Sequence, residues 1–308
     1  MMAASDCAHG RDRTAAPIIP RTRTVGIGLA VAAMGTIQLG AALSEPLFDR
    51  VGPAGVVALR LALAALVLWP FARPRIRGRT RADLAAATAL GVCSGLLTLT
   101  FFEAIARIPL GVAVTIEFLG PLGVALAGSR RARDVGWVVL AAAGVAMLTL
   151  GKGAGQSLAP AGIALSGAAA ACWAGYILLA KRVGAWWPGL EGLSVSLVVA
   201  ALVTLPFGVA GGGGELLDPE VLVASLGLAL LIPLLPYVFG LVALRRLPTS
   251  LFGVIMSLEP GIAALLGFLI LAQRLAASGV VAIALVVVAS AGATLSSREP
   301  ALDEPQPA

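Results

Sequence analysis

Ten apolar runs follow one another along this 308-residue chain, and each is long enough to cross a lipid bilayer as a helix. A spanning helix needs about 20 mostly apolar residues, with a range of about 17–25. The shortest run has 17 residues. The runs are Val25–Ser44, Val51–Ala72, Leu84–Phe102, Ile108–Ser129, Val135–Gly151, Ala159–Ala180, Gly192–Gly211, Val221–Leu244, Leu247–Gln273 and Leu275–Ser297.

Composition agrees with a bilayer as the solvent. The chain is 59% hydrophobic and 12% charged, whereas soluble domains carry about 25% charged residues. The runs do not alternate between apolar and polar residues, as the strands of a membrane β-barrel would. The sequence therefore predicts an all-α membrane protein of ten transmembrane helices.

Basic residues predict the orientation, because Lys and Arg concentrate in cytoplasmic loops. With the N-terminus inside, 17 of the 22 Lys and Arg residues fall on the cytoplasmic side and four fall outside. Arg60 lies within a span. We expect both termini to be cytoplasmic, in a multi-pass protein of a bacterial-type inner membrane. The net charge of +6 then reflects the basic residues of the cytoplasmic loops, and nucleic-acid binding is not expected.

Several functions lack the residues they need. The only histidine is His9, in the polar tail, and the cysteines Cys7, Cys93 and Cys172 form no CxxC pattern. We therefore expect no metal site, no disulfide framework, no cofactor and no catalytic residue. The chain also lacks a GxxxxGK[ST] loop for ATP. A membrane-embedded enzyme and a structural or sensor protein are the weaker alternatives.

The two halves of the chain resemble each other. RIPLGVAVTIEFLGP at Arg107–Pro121 aligns with RLPTSLFGVIMSLEP at Arg246–Pro260 at an offset of 139 residues. LWPF at Leu68–Phe71 answers TLPF at Thr204–Phe207 at an offset of 136. Each half holds five helices, so the second enters the membrane from the opposite side. Such inverted repeats are typical of carriers that work by alternating access.

The repeat divides the chain into two units with short tails. The polar tail 1–24 precedes a first span that we expect to be retained, because no small-x-small cleavage site precedes Glu45. The units are a cytoplasmic tail at 1–24, a first five-helix repeat at 25–151, a second at 152–297 and a C-terminal cytoplasmic tail at 298–308.

Glu117 is the most conspicuous charge inside the predicted spans, at about the middle of helix 4. Pro121 has no N–H to bond the carbonyl of Glu117, so a carboxyl and a free carbonyl share one depth. This arrangement suits a substrate ammonium group or a proton. Alternatively, a neutral Glu117 is satisfied by a neighbouring helix.

Two other charged residues are candidates with open roles. Glu259 precedes Pro260 in helix 9 and aligns with Gly120, about one turn from Glu117. It either serves the central site or bonds neighbouring helices. Arg60 in helix 2 could hold a substrate carboxylate in a bidentate contact, or could pair with Glu117 or Glu45. Arg60 with Glu117 would complement a zwitterion.

Further residues are weaker candidates. Glu103 and Arg107 have the spacing of a local surface pair. Two prolines, Pro233 and Pro236, should bend helix 8 beside protein or a cavity. Neutral polar and aromatic residues either line a cavity or bridge helices; these are Gln38, Ser94, Thr98, Trp173 and Tyr176.

Four stretches carry a family resemblance that spans about 25–297. They are QLGAALSEPLFDRVGPAGVVALRLALAALVLWPF at Gln38–Phe71, PLGVAVTIEFLGPLGVAL at Pro109–Leu126, ACWAGYIL at Ala171–Leu178 and SLEPGIAALLGF at Ser257–Phe268. They resemble the RhtA-type threonine/homoserine exporters, which are EamA-domain carriers of the drug/metabolite transporter superfamily. The Pro-Leu-Gly…Glu-Phe-x-Gly-Pro string is the most specific part.

The resemblance implies two EamA repeats around a central cavity, with helices 5 and 10 at the periphery. It also implies efflux of threonine, homoserine and related small amino acids, with protons as the expected coupling ion. An exporter of another metabolite or drug on the same fold is the nearest alternative. The oligomeric state stays open, and a homodimer is compatible with the sequence.

Overall fold

The computed structural model describes residues 20–127, 132–150 and 157–296, and in these ranges every regular element is a helix. Several residues named above or counted among the charges lie outside the described ranges: Cys7, His9, Arg11, Arg13, Arg130, Arg131, Lys152 and Arg298. The α-helices are α1 (Pro20–Ala72), α2 (Arg81–Ile105), α3 (Leu110–Glu117), α4 (Leu119–Ala127), α5 (Ala132–Thr149), α6 (Pro160–Trp186), α7 (Glu191–Gly212), α8 (Pro219–Ala229), α9 (Leu235–Leu244), α10 (Thr249–Met256), α11 (Glu259–Leu271) and α12 (Ala277–Ser296). A 3-10 helix (Gly213–Leu217) precedes α8, and a π-helix (Leu230–Leu234) joins α8 to α9.

The longest helix, α1, contains one sharp kink. Gly52 has φ 69° and ψ 163° and separates two helices that otherwise run continuously over 53 residues. Glycine adopts positive φ without the steric cost of a Cβ atom, and Pro53 cannot donate the next helical hydrogen bond. The predicted end of the first span at Ser44 is therefore wrong, because the helix continues to this kink.

Among the described residues, seven helices are long and apolar enough to cross a membrane. The first of them, Arg23–Ala72, includes the kink in α1 and is 50 residues long. Two shorter apolar helices are Leu110–Ala125 and Val135–Thr149. The chain is thus a multi-pass α-helical membrane protein, as its composition predicts.

The helices α3 and α10 begin and end with the same backbone geometry, and their end residues are related by the sequence offset of 139 residues. The caps of α3 and α10 are Pro109 (φ −55°, ψ 140°) and Pro248 (φ −56°, ψ 141°). Their C-terminal caps, Phe118 and Ser257, differ by one degree in φ and share a ψ of −13°. An Arg-x-Pro sequence thus precedes each of the two helices, and the helices end at equivalent residues.

The helices pack in pairs that draw distant parts of the chain together. The first half of the chain contacts the second through α1 against α7, α2 against α6, α3 against α11 and α5 against α12. Small residues allow the closest approaches, as is usual within membranes. A Cβ on Gly111 would lie 2.7 Å from the Cα of Ala264, which places the α3 and α11 backbones in near contact.

Gly120 is the tightest of these approaches. An added Cβ would lie 2.2 Å from the carbonyl oxygen of Ala170 on α6. We expect Gly120→Ala to lower the free energy of unfolding by roughly 1–3 kcal/mol, because a backbone atom cannot move aside cheaply. Gly123→Ala is the matched control, since a Cβ there meets nothing within 4 Å. Unfolding of both variants in detergent tests this, and equal stability would contradict it.

Candidate functional site

Glu117 lies at a break between two helices. It is the last residue of α3, and α4 begins at Leu119, so the helix is interrupted at Phe118. Pro121 follows four residues after Glu117 and cannot bond its carbonyl oxygen. The Glu117 side chain is 8% exposed. The break therefore places a carboxyl and a carbonyl oxygen together inside the helix bundle.

Glu259 lies at the corresponding break in the second half. It begins α11, directly before Pro260, and only Ser257 and Leu258 separate it from α10. Its side chain is buried, and Gln38 Nε2 on α1 donates a 2.9 Å hydrogen bond to its Oε1. Glu259 Oε2 and Gln38 Oε1 are buried without a hydrogen-bond partner among the described residues.

The two acids lie on neighbouring helices. Glu117 comes from α3 and Glu259 from α11, two helices that pack directly against each other. Carboxyl groups in one buried region repel each other when both are ionised. Gln38, Glu259 and Glu117 are thus three buried polar residues on helices that pack together, and both halves of the chain contribute to this buried polar group.

Arg60 is buried without a counter-ion in the described part of the chain. Its side chain is 4% exposed, and its guanidinium carbon lies 4.6 Å from the ring centre of Phe102 on α2. Nε and Nη1 have no hydrogen-bond partner there. The ion pairs considered from the sequence, with Glu117 or Glu45, are not formed.

The neutral candidates are placed differently. Trp173 contacts Phe118 edge to face, with ring centres 5.5 Å apart, and so adjoins the break beside Glu117. The hydroxyl of Thr98 donates to the carbonyl of Ser94 within its own helix at 2.9 Å. Tyr176 packs with a separate apolar cluster that includes Leu90. Of these neutral residues, Trp173 is therefore the one whose ring contact links it to the acids.

The prolines of helix 8 coincide with a change of helix type. Pro233 lies inside the π-helix and Pro236 is the second residue of α9. A proline N–H is missing at both positions, so the carbonyls of Ala229 and Ile232 lose their usual helical donors. The helix therefore continues from α8 to α9 through a widened turn, the π-helix, and is not interrupted.

Two aromatic residues that contact candidate site residues were not predicted from the sequence. Phe102 stacks on Arg60, and Phe118 contacts Trp173. Phe102 precedes Glu103 and Phe118 follows Glu117 in the sequence. A phenylalanine in an apolar span does not by itself indicate a functional role. The expected local pair is confirmed, because Arg107 Nη1 bonds the Glu103 carboxylate one turn away on the helix.

Ion pairs join the two halves at both ends of the second part of α1. At the kink, Arg50 lies 3.2 Å from Asp218, 3.2 Å from Glu220 and 3.5 Å from Glu215. We call this cluster the Arg50 clasp. Asp218 also caps α8, and the N–H groups of Val221 and Glu220, with the Arg50 guanidinium, hold its pKa below the ordinary value. Asp218 thus keeps its negative charge in mild acid.

At the other end, Arg79 forms the second contact between halves. Its Nη2 lies 3.1 Å from the Glu191 carboxylate, and its guanidinium carbon lies 4.5 Å from the ring centre of Trp187. Its Nη1 donates to the carbonyl of Trp186 at 3.0 Å. We call this cluster the Arg79 clasp.

The hydrogen bond of Gln38 gives a stability prediction. Gln38→Met should lower the free energy of unfolding by about 1–3 kcal/mol, because Glu259 then loses its only hydrogen-bond donor among the described residues. The double variant Gln38→Met with Glu259→Met should recover most of this loss, since neither polar partner then remains. Unfolding in detergent measures both. A single variant as stable as the parent would show that the bond contributes nothing.

The buried polar group holds nothing that would bind a metal. Within the described residues, no group of three or more His, Cys, Asp or Glu side chains could hold a metal ion. The bundle holds two buried acids, an aromatic contact beside one of them, and a buried Arg60 that lies on Phe102 and forms no ion pair with either acid in the described part of the chain. These groups can bind charged groups and exchange protons inside a multi-pass membrane protein.

Comparison with known proteins identifies the class. The model of the EamA-like transporter family matches residues 160–295. The threonine/homoserine exporter RhtA of Salmonella typhimurium (strain SL1344) is 39% identical over 282 residues, covering 89% of this chain and 91% of the exporter. RhtA of Escherichia coli (strain K12) is 39% identical over 275 residues, covering 89% and 92%.

The chain therefore belongs to the EamA-like transporter family, and it is a relative of the RhtA exporters. Its relatives are exporters rather than enzymes. A crystal structure at 20% sequence identity matches with a TM-score of 0.58, covering 89% of this chain and 96% of the other, and shows the same fold.

Proposed function

We propose that this protein exports small amino acids such as threonine and homoserine from the cytoplasm across the inner membrane, by alternating access and in exchange for protons. The substrate class rests on two RhtA relatives that are threonine/homoserine exporters. Buried Arg60 carries the proposal within this chain, because its Nε and Nη1 lack partners among the described residues.

Arg60 would bind the carboxylate of the substrate. A buried charge without a partner is costly, and such intramembrane charges usually serve a ligand or an ion. A carboxylate would accept a hydrogen bond from one of the two open N–H groups and neutralise the guanidinium. Phe102 holds the guanidinium plane from one side, so the other side is left to face the substrate.

Glu117 would bind the substrate ammonium group, together with the carbonyl that Pro121 leaves without a helical donor. Trp173 lies against Phe118 beside this carboxyl and would bound the site with an aromatic edge. One fixed base and one fixed acid together match a zwitterion. A neutral drug would satisfy neither group.

Alternating access follows from an inverted repeat of five and five helices. The kinked α1 is long enough for two crossings, and the two shorter apolar helices supply one each, which gives ten in all with the remaining six. The matching caps of α3 and α10 support equivalence of residues 25–151 and 152–297. Ten crossings would leave both termini on the same side of the membrane, and the distribution of basic residues favours the cytoplasmic side.

The two clasps would act as alternating closures. The second part of α1 has about 20 residues and is therefore about 30 Å long, so the Arg50 and Arg79 clasps lie near opposite faces of the membrane. Each joins a residue of the first repeat to acids of the second. The exposed ion pairs of the Arg50 clasp contribute only about 0–1 kcal/mol each, so that clasp can open without a large barrier.

Proton coupling would use the acid pair. Because two neighbouring buried carboxyls disfavour simultaneous ionisation, arrival of a substrate ammonium at Glu117 would change which groups hold protons. Glu259, held by Gln38, would stay in place as the second acid. Protons would then move inward as amino acid moves outward. No copy-to-copy contact is needed for this cycle, and a homodimer would place two independent pathways side by side.

Substrate analogues test the proposed recognition. Purified protein in liposomes loaded with threonine should exchange it for labelled threonine, and homoserine should compete. Threonine methyl ester lacks the carboxylate, and the corresponding 2-hydroxy acid lacks the ammonium group. Each should compete at least about 30-fold less well, because removing one partner of a desolvated charge pair costs about 2–5 kcal/mol. If both analogues compete as well as threonine, the alternative of a drug or metabolite exporter replaces this proposal.

A further inference from the structure

An apolar groove lies between the second part of α1, the beginning of α7 and the π-helix. Its volume is about 400 Å³, within the range of about 300–1,000 Å³ that is usual for ligand pockets. Every described residue that lines it is apolar; these are Ala64, Val67, Leu68, Phe71, Leu190, Leu193, Leu197, Ala229, Leu230 and Pro233. No charged group of an amino acid could find a partner there.

The groove opens towards the surrounding lipid. Phe71 is 79% exposed and Leu230 is 39% exposed. From Ala64 to Phe71 the groove follows α1 for about 10 Å, which is about two thirds of the hydrocarbon depth of one leaflet. The widened turn at Pro233 forms part of its wall. Its dimensions and lining therefore suit part of one acyl chain.

Basic groups stand at the end of the groove where α1 stops. Arg73 has a left-handed backbone with φ 44°, and its Nε donates to the carbonyl of Pro70 at 3.1 Å. This unusual conformation turns the side chain back over the end of α1, beside Phe71. The N–H of Arg75 donates to the Glu191 carboxylate at 3.2 Å, next to Leu190 on the opposite wall.

The charge at this end is positive. Arg79 already pairs with Glu191 at 3.1 Å. Arg73 and Arg75 are exposed and form no ion pair within the described residues. Arg73 and Arg75 thus supply two exposed positive charges in the segment that leaves α1 at this end of the groove.

We propose that the groove and these arginines form a binding site for an anionic phospholipid, with an acyl chain in the groove and the phosphate at Arg73 and Arg75. A juxtamembrane arginine contributes about 1 kcal/mol to binding an anionic lipid. Both parts are required, because the apolar lining selects no headgroup and the arginines alone hold no chain. The groove lining includes none of the residues proposed to bind the amino acid.

Native mass spectrometry of the full-length protein tests this site. The protein, released from detergent, is titrated with phosphatidylglycerol and, separately, with phosphatidylcholine of the same acyl chains. Arg73→Asn removes the charge while asparagine still tolerates a left-handed backbone. Arg77→Asn makes the same change four residues further along the same loop. Leu193→Trp fills the groove.

We expect the parent to bind phosphatidylglycerol more tightly than phosphatidylcholine. Arg73→Asn should weaken phosphatidylglycerol binding about five-fold, and Arg77→Asn should leave it unchanged. Leu193→Trp should weaken it as well, and if that variant does not fold, the two arginine variants still decide. Equal binding of the two lipids would overturn the proposal and show that the groove is apolar surface without headgroup selectivity. Equal loss of binding in both arginine variants would also overturn it and show that the basic surface attracts anionic lipid without a defined site.

Discussion

Arg60→Met should abolish amino-acid export and, at the same time, make the protein more stable. Arg60 is 4% exposed with two guanidinium nitrogens unpartnered among the described residues. Replacing an uncompensated buried charge by an apolar side chain of similar length should raise the free energy of unfolding by about 1–4 kcal/mol. Export should fall at least about 30-fold in kcat/KM, because the substrate carboxylate loses its partner.

Arg274→Met is the control for this substitution. Arg274 is exposed and makes no ion pair within the described residues, so stability and export should both match the parent. Unfolding in detergent and exchange of labelled threonine in liposomes measure the two effects. If Arg60→Met lowers stability and spares export, Arg60 holds helices together and does not bind substrate.

Glu117→Gln should abolish export of threonine and homoserine while sparing any neutral hydrophobic compound that the protein carries. The amide keeps the size of the side chain but can neither hold a negative charge nor exchange a proton. Loss of the ammonium partner in a desolvated site costs about 2–5 kcal/mol, so exchange should fall at least about 30-fold.

Glu103→Gln is the matched control for Glu117→Gln. Glu103 is paired with Arg107 at the end of α2, away from the helix break. An ion pair of this exposed kind contributes little, and export should be unchanged. Equal export of threonine by the Glu117 variant and the parent would contradict the proposal that the site binds a zwitterion.

Much of the fold could be predicted from the sequence because the bilayer allows few solutions. Ten apolar runs predict helices wherever backbone groups must be satisfied internally, and every regular element in the described ranges is a helix. The Arg-x-Pro frame marks two helix starts at an offset of 139 residues, and both helices begin as expected. The end of the first helix was missed, because a kink at Gly52 depends on local backbone geometry that hydropathy does not record.

The candidate site was predictable only in its charged members. An intramembrane glutamate or arginine is costly and therefore visible in the sequence. Its partners are not visible, since Gln38 and Glu259 are 221 residues apart. Arg60 illustrates the limit most clearly. Sequence reasoning offered two acidic partners, whereas folding places the guanidinium on the ring of Phe102.

The central claim is proton-driven export of small amino acids, and uptake into inside-out membrane vesicles tests it most directly. Labelled threonine and homoserine are added to the external medium, which corresponds to the cytoplasm, with and without an imposed pH gradient. We expect accumulation that depends on the gradient and on the presence of this protein. Absence of accumulation of either amino acid, from protein shown to be folded and inserted, would contradict the proposed substrate class.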